Sequence, residues 1–289
     1  MLKIFLLSPI ALIFIVGCNP SSESNPEVKN LVDRSLNNMV SVPGGTFEMG
    51  DFGTKLSENR PLTGENNDQP LHKVTLSNFS ISKYKITYQD YDIYTEATGK
   101  KKLDPGAIIE MSNKFRNPDV AAALDWQQSR DYCLWLGTQA NKKIDLPTEA
   151  QWEYAARNRG QYVIYATDNG KYEEGRNIPN SEQRTALIGY NLFNVPIGNY
   201  PPTPLGLFDM AGNGTDWMLD WYSEDYYARS PEFNPQGPDS GTSKVTRGFQ
   251  IGGGEFSNQT VFRQYSVPNI NEGKNYSIPT KNARCVVNE

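Results

Sequence analysis

Few residues in this chain have side chains suited to bond-making chemistry. It holds one histidine, His72, and three cysteines, Cys18, Cys133 and Cys285. A single imidazole excludes any three-histidine iron or zinc site and leaves one ring base for a hydrolytic mechanism. No G-x-S-x-G turn is present to offer that base a serine nucleophile. His72, just ahead of an alternating stretch that starts at Val74, therefore reads as a hydrogen-bonded structural residue. Gly252-Gly253-Gly254 has the freedom to wrap a phosphate, but it lacks both Walker spacing and a following Lys-Ser/Thr, so it reads as a bare loop. Asp220, Glu224 and Asp225 form an acidic cluster along DWYSEDYY, in the order expected of a solvated loop.

Positioning even these groups requires a core. With 289 residues, 37% apolar and 11% aromatic, the chain can bury one, near the usual size ceiling of a single domain. Its mean hydropathy of −0.60 is that of a water-soluble protein. A net charge of −5 without basic clusters excludes nucleic acid as a partner, because phosphate binding needs concentrated Lys and Arg to release counterions. The stretch Val74 to Tyr84 alternates as a strand does. Thr87 to Thr98 carries Tyr88, Tyr91 and Tyr94 at helical spacing, and Asp125 to Asn141 repeats Tyr132, Leu136 and Ala140 on one helical face. A third helix opens at Pro147, with Thr148 as N-cap and Gln151 completing a capping box. Beyond Arg159 the chain is rich in Gly, Pro and Asn, so loops dominate the second half. Helices early and irregular β-structure late give an α+β class.

The chain opens with one Lys and a run of mostly apolar residues, too short for a spanning helix, which reads as a signal peptide over residues 1–17. Ile15-Val16-Gly17-Cys18 resembles the bacterial lipobox, which implies lipidation of Cys18 and an anchor in the envelope. Asn19 is not the Asp that often retains lipoproteins at the inner membrane, so the expected site is the outer membrane, facing the periplasm. Residues 18–38 are polar without an apolar period and read as a lipidated cysteine with a flexible tether. The single domain is then expected over residues 39–289.

Across about Met39 to Val286 the chain resembles the formylglycine-generating, sulfatase-modifying enzymes. The resemblance is carried in order by VPGGTFEMG (from Val42), PLHKVTLSNFSISKYKIT (from Pro70), DWQQSRDYCLWL (from Asp125), LPTEAQWEYAAR (from Leu146), PLGLFDMAGNGTDW (from Pro204), VTRGF (from Val245) and NARC (from Asn282). It implies a variant of the C-type-lectin-like fold with little regular secondary structure. In that family a pair of cysteines just after an R-G-G-S segment binds copper as thiolates, which suit copper(I). Here those positions are Gly253 and Asn258, the second Gly and the Ser are Phe249 and Gln250, and the Trp expected before the acidic residue of the G-N-x-W-E-W segment is Thr215. Copper is not expected, nor is the iron of the related sulfoxide synthases, which need a histidine triad.

The resemblance implies three further features. Cys133 and Cys285 fall where family members join two cysteines by a disulfide. Structural calcium would be bound by Asp209, Gly212, Gly214 and Asp216, with Asp216 one methylene shorter than the usual Glu, and a second site would involve Asn177 and the carbonyl of Ile178. The substrate groove would be lined by Thr215, Phe249, Gln250, Gly253, Glu255, Phe256, Asn258 and Arg263, with Tyr222, Tyr226 and Tyr227 nearby in sequence. The expected function is that of a non-catalytic, membrane-anchored periplasmic lipoprotein that recognises a protein partner. That partner would be a secreted toxin such as an antibacterial lipase effector, which the chain would neutralise as an immunity protein, or a component of envelope assembly or motility. The alternative is an enzyme with a relocated active site near Asp220, Glu224 and Asp225.

Overall fold

The computed structural model describes residues 25–103, 114–192, 194–250, 253–269 and 280–289; the leader and Cys18 lie outside the described residues. The first element revises the expected tether. Helix α1 (Pro26–Asn37) starts with Pro26 in its first turn, and the Asn25 side chain accepts the Glu27 N–H at 2.9 Å. Val28, Leu31 and Val32 recur at three and four residues, so they share a face, and all three are buried against helices further along the chain. With Leu36 they make an apolar face at helical spacing, and the described residues show the folded domain already present at Asn25, ahead of the expected Met39.

Strands β1 (Met39–Val42) and β2 (Gly45–Met49) follow, then β3 (His72–Leu76) and β4 (Phe79–Ser82). The expected single strand from Val74 to Tyr84 is thus two strands in different sheets, β3 pairing with β2 and β4 with β1. Its buried residues show why: Val74 and Leu76 have even numbers, Phe79 and Ile81 odd, so the inward parity flips across Ser77-Asn78. Side chains replace the ladder at this corner. The Ser77 N–H donates to Asn234 Oδ1 and the Gly44 N–H to Asn78 Oδ1, each at 2.9 Å.

Helix α2 (Tyr88–Thr98) buries Tyr88, Tyr91 and Tyr94, and α3 (Trp126–Ala140) buries Tyr132 and Leu136, both as the spacing predicts. After β5 (Ile144–Asp145), α4 (Glu149–Ala156) carries the expected Thr148 and Gln151 capping box. The loop-rich second half contains one helix that composition hides, α5 (Ser181–Ile188), framed by an Asn180 and Gln183 capping box and Gly189 in the left-handed region. The chain ends with β6 (Thr215–Trp221), β7 (Lys244–Gly248), β8 (Gln264–Ser266), β9 (Lys281–Asn282) and β10 (Val286–Asn288).

One four-stranded sheet has the order β1-β4-β10-β5, another β8-β7-β6-β9, and β2 and β3 form a pair of their own. A core centred on α1, α2 and α3 buries Tyr88, Tyr91, Tyr94, Tyr132 and Trp217. A second, containing Phe47, Trp152, Tyr227, Met218 and Val245, fills the space between α4 and the strands. Short strands, five α-helices and long connections make an α+β fold among the described residues. Cys133 of α3 and Cys285, beside β10, form a disulfide with Cα atoms 5.6 Å apart that closes a span of 152 residues.

Candidate functional site

The site is built on β6 and β7, whose antiparallel register sets Thr215 opposite Gly248 and Asp216 opposite Arg247. The chain leaves β7 at Phe249 and returns through a single 3₁₀ turn at Phe256–Asn258 toward Arg263. Tertiary packing divides the residues expected to line the groove. Gln250, Gly253, Glu255 and Phe256 are exposed, whereas Thr215, Phe249, Asn258 and Arg263 are buried. The buried four have structural work. Asn258 Oδ1 accepts the Gly212 N–H and its amide donates to Gly254 O, both at 2.9 Å, which ties this loop to the turn before β6. Phe249 lies 4.9 Å beneath the Arg184 guanidinium. The Thr215 hydroxyl has no partner among the described residues. Of the neighbouring tyrosines, Tyr226 and Tyr227 are buried, and Tyr222 stacks at 4.1 Å on Tyr265, which is 57% exposed. Gln250, Tyr265, Glu65 and Lys281 border a shallow depression of about 280 Å³.

Arg263 belongs to a buried ionic frame behind the loop. Its guanidinium grips Glu149 with two bonds of 2.7 and 2.9 Å. Arg247 reaches Glu149 and Glu153 at 2.7 Å each, and Arg157 reaches Glu153 at 2.8 Å. Burial alone would push the Glu149 carboxyl up, but Arg263 and Arg247 outweigh it and hold the group below its ordinary value. Asp220 accepts the Glu149 N–H at 2.9 Å, and burial, reinforced by the Glu149 charge, pushes its carboxyl up to about 7. The cluster considered for a relocated active site does not converge. Asp220 points into the frame while Glu224 and Asp225 lie on an exposed turn, Asp225 paired with Arg229. His72 is a packing residue, its Nδ1 3.0 Å from Pro70 O and its ring 4.6 Å from that of Tyr227.

The turn before β6 brings together the oxygens expected to bind calcium, but each already has a partner. Asp209 Oδ2 accepts the Gly198 N–H at 2.9 Å, and Gly212 O accepts from Arg184. Lys85, following β4, places its ammonium 2.5 Å from Asp216 Oδ1 and 3.5 Å from Gly214 O. The other Asp216 oxygen accepts from Trp152 Nε1 at 3.0 Å and Arg284 Nε at 2.9 Å. Burial pushes the Asp216 carboxyl up, yet Arg284 and Lys85 together hold it below its ordinary value, so the cluster is ionic. A divalent ion does not fit this donor set as it stands. At the second position, Asn177 Oδ1 accepts the Glu173 N–H at 3.0 Å and Ile178 O the Gly175 N–H at 2.7 Å, closing a turn rather than a cage. Lys85 and Arg284 escaped notice in the sequence. The one signal is that Lys85 keeps the odd-numbered parity of buried Phe79 and Ile81.

Among the described residues, no thiol faces the loop after β7. Gly253 and Asn258 occupy the positions of the expected copper ligands, and a Cβ added at Gly253 would meet Ser257 at 2.6 Å. Cys133 and Cys285 are bonded to each other in the helical core.

This combination defines a sulfatase-modifying-factor-like fold with an altered cleft. The family model for the sulfatase-modifying factor enzyme 1-like domain matches residues 24–281, and the chain belongs to that family. It is 30% identical to the formylglycine-generating enzyme of Streptomyces coelicolor over 74% of this chain and 79% of that protein. It is also 29% identical to the serine/threonine-protein kinase pkn1 of Chlamydia pneumoniae, over 74% of this chain but only 33% of that protein. Among solved structures, PvdO from Pseudomonas aeruginosa shares the fold with a TM-score of 0.66 at 24% identity, covering 87% of this chain and 94% of PvdO. Treponema denticola variable protein 1 does so with a TM-score of 0.63 at 16% identity, covering 87% and 95%.

Proposed function

We propose that this chain is a non-catalytic binding member of its family, anchored to the envelope through Cys18, whose altered groove recognises a protein partner. The observation that carries the proposal is the loop after β7. Where relatives would hold copper thiolates, this chain has an exposed glycine with no room for a side chain and a buried asparagine tied to the backbone on both sides. Oxidation of a substrate cysteine has no soft ligand pair here. What remains exposed is a rim of adaptable polar groups and aromatics, Gln250, Glu255, Phe256 and Tyr265, on a rigid support, an arrangement suited to recognition. The acidic balance favours a partner with a basic patch through electrostatic steering. In the periplasm such a partner would be an exported toxin that the chain neutralises, or a component of envelope assembly or motility.

Three experiments test this. A peptide containing C-x-P-x-R, incubated with the purified protein, copper and oxygen, should be recovered unchanged by mass spectrometry; conversion of its cysteine to an aldehyde would overturn the proposal. Gln250→Lys and Phe256→Glu should abolish recovery of a partner cross-linked to the wild-type protein in the host envelope. Undiminished recovery would place the binding face elsewhere. Labelling with a clickable fatty acid should mark the wild type and not Cys18→Ser.

A further inference from the structure

The binding proposal gives no role to Lys85, although its side chain is 1% exposed. A buried ammonium is strongly disfavoured unless its three N–H donors meet oxygens. Those oxygens come from the turn before β6, Asp216 Oδ1 at 2.5 Å and Gly214 O at 3.5 Å, two of the four ligands that the family resemblance assigns to calcium. The Asp209 carboxylate also bears on it electrostatically, and Arg284 opposes it from the far side of Asp216.

We infer that the Lys85 ammonium is a resident cation standing in for a divalent ion, so that the segment from Asp209 to Asp216 is held without calcium. Charge supports this. Lys85 and Arg284 flank the Asp216 carboxylate and Arg184 sits on Gly212 O, so a calcium ion among them would meet fixed, buried cations. Geometry supports it too. Calcium needs six to eight oxygens at 2.3–2.6 Å. Here one Asp216 oxygen is shared by Trp152 and Arg284, Gly212 O is taken by Arg184, Asp209 Oδ2 accepts the Gly198 N–H, and the other Asp216 oxygen and Gly214 O face Lys85, so the turn falls short of that number. A covalently attached cation differs from a bound one in one respect: it cannot be lost when the surrounding calcium falls.

The test uses the full chain and calcium itself. The wild-type melting temperature should be the same in EDTA and in millimolar calcium, and elemental analysis after calcium loading and gel filtration should find no bound metal. Lys85→Ala should melt lower than wild type, in EDTA and in millimolar calcium alike, whereas Lys85→Arg, which keeps the charge, should melt closer to wild type. A wild-type chain that retains stoichiometric calcium, or that loses melting temperature in EDTA, would overturn the inference. So would a folded Lys85→Ala that melts as the wild type does, since the turn would then need no cation there. Should Lys85→Ala fail to fold, the wild-type metal content and EDTA response decide the matter alone.

Discussion

The ionic frame behind β7 and the loop in front of it are a few residues apart in sequence and follow opposite rules. Behind, Glu149, Glu153, Arg157, Arg247 and Arg263 are buried, and each arginine is tied to a glutamate by a bond of 2.7–2.9 Å. Removing one member strands the others away from water. In front, Gln250, Glu255 and Phe256 are exposed; Glu255 accepts from the Tyr165 hydroxyl at 2.7 Å and the Phe256 ring meets that of Phe262 at 4.7 Å. The frame constrains its residues through desolvation, whereas these loop side chains keep much of their surface in water. The groove can therefore change while the family fold is kept.

That contrast can be tested by substitutions of graded effect. The largest loss should follow Arg247→Met, which leaves two buried carboxylates short of a partner; breaking such a pair costs about 3–5 kcal/mol, read as a drop in the denaturant midpoint. A loss near the cost of a surface pair would mean that water reaches the frame. Cys285→Ala should cost about 2–5 kcal/mol under oxidising conditions, and denatured, unreduced wild type should show no free thiol from Cys133 or Cys285. Asn258→Ala, formally within the groove, should behave as a frame substitution and cost about 1–3 kcal/mol, since it leaves the Gly212 N–H and Gly254 O unpaired.

Asp68 gives a pH-dependent test. It is buried, accepts from the Thr63 hydroxyl at 2.5 Å through Oδ2, and has no partner for Oδ1. Burial, aided by the charges of Asp51 and Glu153, pushes its carboxyl up to about 7 from 3.8. The folded chain then holds a proton that the unfolded chain has released, so this group's contribution to stability falls as pH rises from about 4 to about 7. Asp68→Asn should be more stable relative to wild type at pH 8 than at pH 4, with the difference opening inside that window; a flat difference would show that Asp68 is solvated. The smallest effect belongs to the loop. Gln250→Lys should shift stability by less than about 0.5 kcal/mol, and a larger shift would place Gln250 in the frame.

Some of these features were legible in the sequence. The aromatic spacing of α2, the α3 repeat and the Thr148 and Gln151 box each depend on neighbours within one or two turns, so local order encodes them. The parity flip at Ser77-Asn78 and the Asn180 and Gln183 box were also written locally, the first as a two-residue break in the apolar alternation between Leu76 and Phe79, the second within a loop-like composition. Helix α1 was legible too, in Val28, Leu31, Val32 and Leu36 at helical spacing behind Asn25-Pro26, but the polar composition around them concealed it.

By itself, the sequence determined which atoms are available: one imidazole, three thiols, and glycine and asparagine where the family resemblance implies copper ligands. Side-chain identity needs no folding to be known. Only the tertiary structure decided where the groups go. Asn258 and Arg263 read as groove residues until burial tied Asn258 to backbone groups and drew Arg263 into the frame, and Asp209 and Asp216 read as calcium ligands until Lys85 and Arg284 arrived from segments 131 and 68 residues from Asp216. Whether a polar side chain binds a partner or a neighbour depends on which long-range contacts exclude water from it, and that follows from packing rather than from sequence spacing.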